Sequence, residues 1–81
     1  MNAGVVRKLA GEHSLVTLEA AVEAISERGE EILEVSGEDI GERLTHLLLA
    51  ARVRRRVDAG EDLKDAFRAE MASVRDVLTN R

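Results

Sequence analysis

The chain has 81 residues, enough for one small domain. Its apolar 44% is mainly Leu, Val, Ile and Ala, with Phe67 the single aromatic. It has no cysteine, which excludes a disulfide framework, a thiolate zinc site and a thiol nucleophile, and no proline to break helices. The net charge of −4 argues against a general nucleic-acid binder, because phosphate contacts dominate such affinity and need an excess of Lys and Arg.

Ala3 to Gly11 reads as a short helix. Val5, Val6, Leu9 and Ala10 lie on one side, Arg7 and Lys8 on the other, and Gly11 is the stop. A helix this short must dock on something to persist. Arg7 and Lys8 stand where a signal peptide needs its apolar stretch, and no apolar run approaches the roughly 20 residues that span a bilayer. The expected compartment is therefore the cytoplasm, with no membrane association.

Ser14 is suited to cap a second helix running from Leu15 to about Arg28. Leu15, Leu18, Ala21, Val22 and Ile25 make its apolar stripe, and Gly29 stands at the C-terminal glycine position. Glu19, Glu23 and Glu27 recur every four residues on another, solvated face. The segment Glu30 to Ser36 admits three readings: an extension of the second helix, a short strand, or an extended link. The flanking Gly29 and Gly37 favour an extended segment over residues 31–36, open to pairing with its symmetry mate.

Gly37 and Gly60 bracket the longest helix, with Ser36 or Asp39 as its cap. Its charge runs from acidic to basic, the order the helix dipole favours. Ile40, Leu44, Leu47, Leu48 and Ala51 form its main stripe, and Leu49, Val53 and Val57 form a second. A helix apolar on two faces needs two neighbours. The short Ala59–Gly60 joint makes the next helix, capped by Asp62 and running to about Thr79, its antiparallel neighbour. Leu63, Ala66, Phe67, Val74, Val77 and Leu78 are its buried stripe with Met71 at the margin, while Asp62, Asp65, Glu70 and Asp76 face out. The expected fold is a single all-α domain over 1–81, a small helical bundle whose body is this long hairpin. A core this poor in aromatics favours a partner chain, most simply a homodimer through Leu49, Val53 and Val57 beside Arg52, Arg55 and Arg56.

Three features bear on chemistry. Glu42 and His46 are four apart and share a helix face; with Glu38 they are weak candidates for a metal or small-ligand site, weighed against a purely helix-stabilising pair. Arg52, Arg54, Arg55 and Arg56 have the charge to hold phosphate, nucleic acid or an acidic partner surface. In an acidic chain without interleaved aromatics they are better read as complementing the helix C-terminus and pairing with the acidic segment Glu30 to Glu42. The hydroxyls of Ser14, Thr17, Thr45 and Ser73 lack any recognisable His and carboxylate arrangement, so no catalytic residue and no cofactor are expected. A ribbon-helix-helix repressor has a similar element order, but Glu30, Glu31 and Glu34 on its strand would repel phosphates.

At His13 to Glu23, HSLVTLEAAVE, and at Glu34 to Ala50, EVSGEDIGERLTHLLLA, the chain resembles a family of very short bacterial proteins classed as a domain of unknown function. The resemblance runs from Val5 onwards and is carried by Gly37, Glu38, Asp39, Gly41, Glu42, Leu44, Thr45 and His46. It implies a fold and no activity. A redox-associated accessory role beside thioredoxin and peroxiredoxin genes is the most it suggests, and a chain without cysteine has no thiol for that chemistry. The functional expectation is a non-enzymatic interaction or accessory protein that self-associates, with GEDIGERLTH as a polar surface for a protein partner.

Overall fold

The computed structural model describes residues 1–79, with side chains through Arg75. Four helices follow one another: α1 (Ala3–Glu12), α2 (Leu15–Arg28), α3 (Ile40–Asp58) and α4 (Leu63–Thr79), with no strand among the described residues. Caps and glycines set most of the ends, although α1 runs one residue past the expected stop at Gly11 to a cap at His13. Asn2 caps α1 through its side-chain oxygen, which accepts from the Gly4 N–H at 2.9 Å, and Ser14 Oγ caps α2 by accepting from Thr17 at 3.2 Å. Gly29 ends α2 in the left-handed region at φ 64°, where a side chain would be strained. The Glu30 N–H then reaches back to the Ala24 carbonyl at 3.1 Å. Gly60, at φ 111°, turns the chain from α3 into α4.

Helix α3 is the hub: it packs on α1, α2 and α4, and α1 also touches α4. That arrangement explains why its buried residues are spread around the helix. His46, Leu47, Ala50, Ala51 and Val53 are all buried, and they do not fall on a single stripe. Alanines 10, 21, 24, 50, 51 and 66 are buried between helices, and small side chains let the backbones approach closely around Leu18, Leu47, Val6 and Val53. No helix among the described residues is long and apolar enough to cross a membrane.

Residues 30–39 form a link with neither helix nor strand, the third of the readings for Glu30 to Ser36. Val35 is buried and Leu33 half-buried against the core, so the link is pinned by its apolar side chains rather than by a ladder. The structure also corrects two of the expected stripes. Ile40 and Leu48 are 42% and 45% exposed, because three neighbours rotate the buried sector of α3 towards Leu47, Ala50 and Val53. Glu70 does not face out but is buried, drawn under two arginines of α3. Asp76, Val77 and Leu78 lie outside the residues whose side chains are described.

Candidate interaction surface

The GEDIGERLTH stretch turns its polar groups on itself. Asp39 caps α3, its Oδ1 accepting from the Glu42 N–H at 2.8 Å, and Glu42 Oε1 reaches back to accept from the Glu38 N–H at 2.9 Å. This reciprocal pair is a capping box displaced by one residue. That amide and the Met1 amino group, 3.3 Å from Oε2, hold the Glu42 carboxyl below the usual carboxylate range. Arg43 ties the link to the helix: Nε and Nη2 donate to the two Glu31 oxygens at 2.6 and 3.0 Å, and Nη1 donates to the Gly37 carbonyl at 2.9 Å. Gly37 is required by this closeness, since a Cβ there would stand 2.6 Å from Arg43 Cγ.

His46 is fully buried, not at the edge of a stripe. Its Nδ1 lies 2.8 Å from the Ser36 carbonyl oxygen, which can only accept, and its Nε2 lies 2.9 Å from the Asn2 N–H, which can only donate. The two partners together select the neutral imidazole with its proton on Nδ1. One ring thereby joins the start of α1, the end of the link and the middle of α3. The Glu38, Glu42 and His46 set does not assemble into a metal centre: both ring nitrogens are committed to backbone. Among the described residues no group of three His, Cys, Asp or Glu is placed to hold an ion.

Arg52, Arg54, Arg55 and Arg56 pair within the chain, but with α2, α4 and their own neighbours rather than with Glu30 to Glu42. Arg52 and Arg56 clamp Glu70 from both sides at 2.6 and 2.7 Å; Arg55 meets Glu19 at 2.8 Å. Arg54 meets Asp58 at 3.0 Å and also donates to the Ala10 carbonyl at 3.2 Å. Burial pushes the Glu70 carboxyl up, but Arg56 and Arg52 outweigh it and hold it below its ordinary value. Glu70→Gln should therefore destabilise the fold by about 1–2 kcal/mol at neutral pH, a modest cost because the arginines themselves are part-exposed. A lowered folded-state value means that the stabilisation is complete above the ordinary 4.5 and fades as pH falls through that lowered value. Urea midpoints of the two proteins should converge in acid; a constant difference across pH would show that the clamp is not electrostatic.

Beside this clamp lies an open groove of about 1030 Å³ along α3. Glu19, near the start of α2, meets Arg55, near the end of α3, so the two helices run antiparallel. The floor is apolar: Val22, Leu48, Leu49 and Ala51. Arg52, Arg55 and Arg56 stand at one end with their partners Glu19 and Glu70, an excess of one positive charge, and Glu23 and Glu27 with Ser26 and Thr45 at the other. Of the residues expected to form an interface, Leu49 and the three arginines line this groove. Val53 does not: it is 0% exposed in the core of its own chain, and Val57 packs half-buried on the same core. Leu48, read from sequence as core, is the most exposed leucine on the floor. Its signal was present in the spacing Gly41, Thr45, Leu48, Arg52, Arg55, a stripe alternating by four and three residues that carries one large apolar group.

A model described as a family of unknown function, DUF6952, matches residues 1–79. No curated relative and no solved structure matches the chain.

Proposed function

We propose a role for this chain, which belongs to the DUF6952 family: it is a non-enzymatic interaction module that self-associates through the α2–α3 groove. The observation that carries this reading is the groove's charge order. A two-fold axis through the floor near Leu48 lays the arginine end of one copy on the Glu23 and Glu27 end of the other, and both apolar floors are covered at once. A surface that is its own complement under a two-fold operation favours a second copy over an unrelated chain.

The non-enzymatic part rests on how the polar residues are spent. Glu42, His46, Arg43, Glu70, Arg52 and Arg56 hold caps, the link and the Glu70 clamp rather than a shared reactive centre.

Light scattering across concentration tests the reading. The wild-type chain should reach twice its 8.9 kDa mass. Leu48→Glu should remain monomeric with unchanged helix content, since Leu48 is already half in solvent. Glu23→Arg with Glu27→Arg should weaken association about tenfold by setting like charges together. A wild-type chain still monomeric at about 1 mM would remove self-association. A dimer indifferent to Leu48→Glu would place the interface elsewhere.

A further inference from the structure

A cleft of about 390 Å³ lies between α1 and the link and shares no lining residue with the α2–α3 groove. Val5, Lys8, Leu9 and Glu12 recur at three- and four-residue spacing and form its helical wall. Arg7 and Gly11 meet α4 at Phe67 and Leu63, so the cleft occupies a different flank of α1. Its other wall is the link from Leu33 to Ser36. There exposure alternates residue by residue: Ile32, Glu34 and Ser36 are exposed, Leu33 is half-buried and Val35 is buried. A period of two is that of extended backbone. Among the described residues, no hydrogen bond engages the N–H or C=O groups of residues 31–35. The groups on either side are taken. The Glu30 N–H donates to the Ala24 carbonyl at 3.1 Å, and the Ser36 and Gly37 carbonyls accept from His46 Nδ1 at 2.8 Å and Arg43 Nη1 at 2.9 Å.

From this combination we infer that the cleft binds an extended, basic segment of another protein, which adds to the link as a strand. Unpaired peptide groups along an extended run are what a second extended chain satisfies; a helix has its own groups already bonded. The link is pinned at both ends, so its free edge is presented in order and binding has only the incoming segment to fix. Val5, Leu9, Leu33 and Val35 give the cleft an apolar floor, which suits alternate β-branched side chains of a strand. Charge sets the sign of the rest. Glu12 and Glu34 outnumber Lys8 on the lining, with His13 the remaining titratable group, and neither carboxylate has an ion pair among the described residues. The cations nearest in the link's own network, Arg28 and Arg43, are engaged by Glu30 and Glu31. Lys or Arg at the outward positions of the added strand therefore meets unneutralised acid. A second copy of the link is the poorer occupant, because pairing it with itself brings together two runs that each hold Glu30, Glu31 and Glu34.

The probe is a synthetic peptide of about seven residues, blocked at both ends, in which Lys and Val alternate. A counterpart carries Glu in place of Lys. Two further versions are N-methylated, one at its Lys residues and one at its Val residues, because alternate residues of a strand direct their peptide groups to opposite edges. All four are titrated by fluorescence anisotropy into the full chain and into the Leu48→Glu variant, which keeps the result independent of self-association. The Lys peptide should bind at least about tenfold more tightly than the Glu peptide, and raised salt should weaken it. One methylated version should lose binding while the other keeps it. Amide shift changes should centre on residues 33–36 and on Val5 to Glu12. Glu34→Lys, an exposed substitution, should lower affinity about tenfold with the helix content intact. No binding at about 1 mM peptide, equal binding of the Lys and Glu peptides, the same response from both methylated versions, or shift changes on another face would each overturn the assignment.

Discussion

Replacing His46 with leucine should lower the unfolding free energy by about 2–3 kcal/mol, although leucine fits the volume and the setting is apolar. The loss comes from what the ring leaves behind. Without it the Asn2 N–H and the Ser36 carbonyl both lose their partner where they are partly shielded from water. Leaving such groups unmade costs more than making them gains. The effect should also be regional: hydrogen exchange should quicken first in the opening turn of α1 and in the link, the two segments that the ring holds to α3. The comparison is His13→Leu, at a half-exposed position outside this network, which should change stability by no more than about 0.5 kcal/mol. If the two substitutions cost the same, the ring is not the tie that its geometry indicates.

His46 also shows where reading the sequence stops. That Glu42 and His46 share a face of one helix follows from their spacing. That the imidazole faces two backbone groups 44 and 10 residues away does not, since it depends on how α1 and the link close over α3. Local signals carried the fold well: Ser14 and Asp39 as caps, Gly29 in the left-handed region, and Gly60 at the hairpin turn all act through neighbours within a few residues. The burial pattern of α3 was less legible. Leucines on opposite sides of a helix with three neighbours offer no single apolar stripe; the polar stripe through Gly41, Thr45, Arg52 and Arg55 hints at an exposed Leu48, but that Val53 lies inside had to come from packing. Glu70 was misplaced for a related reason. A lone carboxylate among charged neighbours reads as surface until Arg52 and Arg56 are seen to meet over it. The arginine run itself was rightly taken as paired, but with the wrong segment: instead of Glu30 to Glu42 the partners are Asp58 one turn on, and Glu70 and Glu19, which only packing brings near.

The same phase of α3 reverses two positions as the sequence placed them, Leu48 in the main stripe and Val53 at the interface. Val53→Glu should unfold the chain, with a loss of about 4 kcal/mol or more, because it places a carboxylate at a position 0% exposed and surrounded by core. A domain of this size has a total stability of about 5–10 kcal/mol, so such a loss removes most of it. Leu48→Glu should leave the circular dichroism spectrum and thermal midpoint close to wild type and act only on mass. Were Val53 at an interface between copies, its glutamate variant would be a folded monomer instead. The two proteins, made side by side and followed by circular dichroism and light scattering, therefore decide whether the second apolar face of α3 belongs to the core or to a partner. An unfolded Val53→Glu beside a folded, monomeric Leu48→Glu assigns the core to Val53 and the groove to Leu48.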